Sequence, residues 1–141
     1  MSVNINAYQQ YRNSTVETAS PGTLLLMLYD AAIQNLEGAK RAIEGNDMAG
    51  AHNYLTRAQD IVLELMSTLN MEYQISKSLW SLYDYLYRQL VQANVKKSLE
   101  LVEEVYGFMT ELRDTWREAV RKAGRTAAVS CGKSQGICME G

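Results

Sequence analysis

The apolar residues of this chain recur three and four positions apart in four successive blocks, and a single proline, Pro21, interrupts its 141 residues. Spacing of three and four lines one face of a helix. A chain of many short strands would carry more turn punctuation than this. Four amphipathic helices joined by short links make consecutive helices antiparallel neighbours. The fold class expected is therefore all-α, an antiparallel up-down four-helix bundle.

The boundaries follow from local signals. Residues 1–20 are polar with isolated apolar points at Val3, Ile5, Tyr8 and Tyr11, and read as an extended or weakly helical N-terminal arm. Ser20 can cap a helix whose first position is Pro21, where proline loses no useful donor. That helix carries Leu25, Leu28, Tyr29, Ala32, Leu36, Ala39 and Ile43 on one stripe and ends at Gly45, the expected left-handed residue. Asn46 or Asp47 starts a second helix with Ala51, Tyr54, Leu55, Ala58, Ile61, Val62, Leu65 and Leu69 on one face. Asn53, Arg57, Asp60 and Glu64 give it an opposite wet face. A connection over 70–74 leads to a third helix from Ile75 or Ser76 to about Asn94. The fourth runs from near Ser98 to before Gly124 on Val102, Val105, Met109, Leu112, Trp116 and Ala119. The bundle domain is thus 21–123. Residues 124–141 have no apolar period and read as a flexible tail.

Composition narrows the function. A formal net charge of −2 gives no long-range attraction to nucleic acid or anionic lipid. The longest apolar run, Leu24 to Tyr29, stops at Asp30, so no membrane span is expected. The N-terminus lacks a signal pattern, which predicts a cytoplasmic protein. Cys131 and Cys138 both fall in the tail, leaving the body without a cysteine-based zinc site or disulfide.

Catalytic constellations are absent. There is no phosphate-cradling glycine loop and no nucleophile elbow. No Glu-x-x-His pair marks a carboxylate-bridged metal site. No cofactor is implied and no enzyme is expected. The one histidine, His52, could accept a phosphoryl group on a helical bundle, but the lysine-glycine pair usual in phosphotransfer modules does not follow it. A His-phosphotransfer-like signalling module and a self-associating structural bundle are the two alternative readings.

The third helix poses the sharper question. Leu79, Leu82, Leu86 and Leu90 form one stripe, and Trp80, Tyr83, Tyr87 and Val91 form another beside it. Together they span roughly 180°, against the ~100° a surface helix needs. Leu24, Leu26, Met27 and Ile33 give the first helix a similar surplus, whereas the second shows none. Either these helices are central in the bundle, or they form a groove for an apolar partner segment. Tyrosine and tryptophan suit such a groove, burying the ring while the polar tip stays hydrated.

SPGTLLLMLYD (20–30) and LYDYLYRQLVQAN (82–94) resemble the flagellin-specific export chaperone family, FliS. Tyr8-Gln9, Ala58, Ile61, Leu65, Glu104-Val105, Gly107 and Asp114-Thr115-Trp116 add to the resemblance, which covers about residues 5–120. The tail lies outside it. The resemblance implies a cytoplasmic four-helix chaperone that binds the disordered C-terminal segment of flagellin and prevents premature polymerisation. It also implies presentation of that client to a component of the flagellar type III export gate, with an additional flagellar regulator as a further partner. For individual residues it implies that Leu24, Leu28, Leu86 and Leu90 floor the groove or belong to the core. Tyr83 and Tyr87 would line the groove. Asp30, Asp84, Arg88 and Asn94 are candidates for polar contacts, and Tyr8 and Tyr11 for a displaceable groove cover.

Overall fold

The structure, a computed structural model, describes residues 20–133, with side chains described as far as Gly124. Four helices occur in chain order: α1 Pro21–Glu44, α2 Met48–Ser67, α3 Gln74–Lys96 and α4 Leu99–Lys133. By contacts the described residues divide into one unit of Met27–Thr115 and a smaller one of 20–26 with 116–133.

The helix starts follow the capping chemistry. Ser20 Oγ accepts from the Thr23 amide at 3.2 Å, and Asp47 Oδ1 accepts from the Gly50 amide at 2.9 Å. Each satisfies a donor that a first turn otherwise leaves unpaired. The end of α1 departs from expectation. Asn46, not Gly45, takes the left-handed conformation, with φ 59°. The Asp47 amide reaches back to the Ala42 carbonyl at 2.7 Å and the Asn46 amide to Ile43 at 3.1 Å. That pair of bonds is a Schellman closure, and asparagine is the commonest substitute for glycine at its left-handed position.

The larger unit is an antiparallel four-helix bundle. Asp30 meets Arg113 and Lys40 meets Glu103, each at 3.6 Å, so α1 and the start of α4 run in opposite directions. Tyr85 packs edge-on against Phe108 with centroids 6.3 Å apart. Gln89 Nε2, one turn further on, donates to Glu104 at 2.7 Å, so α3 and α4 are also antiparallel. Asn94 Nδ2 lies 3.1 Å from His52 Nδ1, which sets the end of α3 beside the start of α2. Leu28, Leu36, Leu55, Val62, Leu65, Leu86, Leu90, Val102, Val105 and Met109 fill the core. Each such side chain contributes about 1.5–3 kcal/mol on burial.

One polar contact sits inside this core. The Tyr29 and Tyr83 hydroxyls hydrogen-bond to each other, tying α1 to α3. Burial, only partly offset by that bond, pushes the Tyr83 phenol above its ordinary value of 10.0. Close approach is managed by glycine where it matters. A Cβ at Gly38 would come within 2.5 Å of the Tyr54 ring, so glycine lets α1 and α2 touch. In the smaller unit, a Cβ at Gly22 would lie 2.9 Å from Val120, so the first turn of α1 packs directly on α4 there.

Gly124 does not end α4, which continues to Lys133. The expected end of the fourth helix before Gly124 is thereby corrected. One interior glycine costs a propagating helix only about 1 kcal/mol, and Ala127 and Ala128 favour continuation. The arm with Tyr8 and Tyr11, and Cys138, lie outside the described residues. Cys131 lies on α4 beyond the described side chains.

Two outcomes test this packing. Gly38→Ala is expected to lose about 1 kcal/mol in denaturant unfolding, because overpacking exceeds the gain in helix propensity. Gly107→Ala, where a Cβ would meet nothing within 4 Å, gains up to about 1 kcal/mol in the same measurement. The second outcome concerns the tyrosine pair. Tyr29→Phe and Tyr83→Phe each cost about 1 kcal/mol, and the double variant costs less than their sum. Because the folded state keeps Tyr83 protonated above 10.0, the stability it provides is complete below that pH and is lost as pH rises beyond it. Tyr83→Phe is therefore expected to flatten the alkaline limb of the stability profile.

Candidate functional site: the seam between helices α2 and α3

Packing of α2 against α3 leaves a seam whose two edges follow from helical phase. Gln59 approaches Asn94 at 3.5 Å, which marks the flank of each helix that faces the other. Stepping on from Gln59 by four and seven residues gives Leu63 and Met66. Stepping back from Asn94 by three, seven and fourteen gives Val91, Tyr87 and Trp80. These positions share one flank because a helix repeats every 3.6 residues. Leu63 is 46% exposed and Trp80 42%, while Met66, Tyr87 and Val91 are half-buried. Fourteen residues of helix make the seam about 20 Å long.

The two ends of the seam differ. At one, Asn94 forms a polar knot. Lys97 Nζ donates to the Asn94 side-chain oxygen at 2.7 Å and to its carbonyl at 2.6 Å. Asn94 Nδ2 in turn faces His52 Nδ1. Lys97 caps the C-terminus of α3 in a left-handed conformation, φ 49°, its amide donating to the Ala93 carbonyl, a conformation uncommon for lysine. At the other end lies the α2–α3 connection, with Tyr73 62% and Ile75 64% exposed and Met71 exposed beside them. Arg88 and Asp84 form a surface pair on α3 at 3.0 Å, a contact worth about 0.3–0.5 kcal/mol.

This geometry separates the residues expected to form a groove. Tyr83 is 1% exposed. It belongs to the core, as do Leu28, Leu86 and Leu90, and none of the four offers surface to a partner in this structure. The reason is rotational. The α3 stripe facing inward is centred between the two expected stripes, so Tyr83 turns in with the leucines while Trp80, Tyr87 and Val91 turn to the seam. Tyr87, Arg88 and Asn94 lie on accessible or half-buried α3 surface. Leu24 is half-buried in the smaller unit. Asp30 is engaged with Arg113.

The expected surplus on α1 is largely absorbed. Ile33 is buried, and Leu24, Leu26 and Met27 are half-buried. Conversely, α2 is not wet on its whole outer side, since Leu63 and Met48 are exposed. Leu63 and Met66 are the seam residues that the sequence pattern does not single out; the signal for Leu63 is an apolar residue between Asp60 and Glu64, off the α2 stripe.

A cleft of about 220 Å³ between α1 and α4 offers less. Its rim is Glu37, Lys40, Arg41, Glu44 and Glu103, and its apolar floor, Leu36 and Val102, is almost wholly covered. Small-molecule sites usually enclose about 300–1,000 Å³. Among the described residues, no group of three or more His, Cys, Asp or Glu side chains could hold a metal ion. No described helix is long and apolar enough to cross a membrane.

Comparison with known proteins adds to this geometry. Residues 4–123 match the family described as Flagellar protein FliS. The chain is 42% identical over 116 residues to the flagellar secretion chaperone FliS of Bacillus subtilis, covering 82% of this chain and 87% of that one. It is 34% identical to the protein of the same name in Salmonella typhimurium, over 84% of this chain and 91% of that one. A crystal structure described as a flagellar chaperone from bacteria superposes with a TM-score of 0.68 at 20% identity. That superposition covers 84% of this chain and 98% of the other, and supports the four-helix fold. With the family match spanning most of its length, this chain belongs to the FliS family of flagellar proteins.

Proposed function

We infer that this chain is a cytoplasmic export chaperone that holds the disordered C-terminal segment of flagellin on the α2–α3 seam. By covering that segment it prevents premature polymerisation and supports delivery to the flagellar type III secretion apparatus. The apolar seam of Leu63, Met66, Trp80, Tyr87 and Val91 carries this reading. It is a track of exposed and half-buried apolar and aromatic side chains on a bundle whose core is already filled. Contiguous surface of this kind marks an interaction site. The names of the relatives support the flagellar secretion role. The chain acts by binding, and no reaction is assigned to it.

Energetics favour a client that extends past the seam. Ordering a flexible segment costs about 1–2 kcal/mol per residue in backbone entropy. Coupled folding and binding therefore typically buries about 1,000–3,000 Å². A seam about 20 Å long supplies only part of that area. Met71, Tyr73 and Ile75 continue the apolar track beyond the end of the bundle.

Leu63→Glu and Tyr87→Glu are expected to lower affinity for a flagellin C-terminal peptide at least about a hundredfold, since a carboxylate against an apolar partner costs several kcal/mol. Their thermal midpoints stay close to that of the parent. Tyr83→Glu instead prevents folding, because it places the charge inside the core. Calorimetry with thermal unfolding of each variant checks all three. Undiminished binding by both seam variants would contradict the assignment.

A further inference from the structure

The seam has a direction. Towards the C-terminal end of α3, the polar side chains along it are Asn94 and then the cation Lys97. Lys97 spends two N–H bonds on Asn94 and keeps a third. The His52 ring lies beside Asn94, with Nδ1 against the Asn94 side-chain amide. Asp60 is the exposed α2 carboxylate between Gln59 and Leu63, and two others are engaged. Asp84 pairs with Arg88, and Asp47 caps α2. The opposite end carries Met71, Tyr73 and Ile75, with one exposed carboxylate, Glu72, and one exposed cation, Lys77.

A segment lying between two helices finds no unpaired backbone to add to as a strand, so helix-in-groove docking is the available mode. A helix leaves its last four carbonyls unpaired and carries about half a negative charge at that end. Building on the seam as the client site, we propose that a helix of the client lies parallel to α3, its C-terminal turn at the Asn94–Lys97 knot. The carbonyls of that turn accept from Lys97, beside the Asn94 and His52 side chains. Its N-terminal turn lies towards Tyr73 and Ile75, where no cluster of cations opposes the positive end of the dipole.

The test uses the full chain and a flagellin C-terminal peptide carrying a nitroxide at one end of its seam-bound helix. Backbone amides are read by paramagnetic broadening. The label at the C-terminal end of that helix is expected to broaden His52 and Lys97, and the label at its N-terminal end Tyr73 and Ile75. The reversed pattern, or equal broadening at both ends by either label, overturns the orientation while leaving the seam as the site. Tight binding with no broadening along the seam overturns both the orientation and the site. As an independent arm, Lys97→Gln with an unchanged thermal midpoint weakens binding about two- to fivefold, the range of charge effects at a helix terminus. Unchanged affinity in that variant removes Lys97 from the proposal.

Discussion

The hydrogen bond between the Tyr29 and Tyr83 hydroxyls fixes the rotation of α3 about its axis. A buried phenol needs a partner, because an unpaired one would cost about 1–3 kcal/mol. Tyr29 supplies it from α1. With Tyr83 turned inward beside Leu86 and Leu90, the residues one flank away must turn outward. Trp80, Tyr87 and Val91 therefore line the edge next to α2. The same turn sends Tyr85 and Gln89 towards α4, where both donate to Glu104. One interior contact thus divides α3 into a face that folds the protein and a flank left available to a partner.

The bundle has enough core to fold without that flank. Its interior is filled by aliphatic side chains and the tyrosine pair, and among the described residues no buried side-chain polar atom lacks a partner. The seam can then be specialised for a client at little cost to the fold. Polar knotting of one end by Asn94, His52 and Lys97 closes the α2–α3 contact at the α2 N-terminus. The apolar connection leaves the other end open. This asymmetry gives the surface a length, a polarity and a direction, properties that a nonspecific apolar patch lacks.

Much of the fold was legible because its signals are local. Ser20 with Pro21, and Asp47, announce helix starts through capping chemistry, and the three- and four-residue spacing gives each core stripe. Signals that depend on a neighbour were not legible in the same way. The choice between Tyr83 and Tyr87 as the buried ring depends on a hydroxyl of α1, which no reading of α3 alone supplies. The left-handed residue after α1 fell on Asn46 because the pair of closing bonds, not the presence of Gly45, selects its position. Gly124 carries the local signal of a stop, although a helix already propagating crosses a single glycine. Leu63 is hidden in the pattern because the rest of α2 divides so cleanly into an apolar and a wet face.

The central claim is that the client covers the α2–α3 seam, and Trp80 reports on it directly. The chain has two tryptophans, so a Trp116→Phe variant leaves Trp80, 42% exposed in the free protein, as the sole indole emitter. The account predicts that saturating flagellin C-terminal peptide shifts its emission to shorter wavelength and protects it from acrylamide quenching. Emission and quenching unchanged at saturation would mean that the client binds elsewhere and would contradict the account.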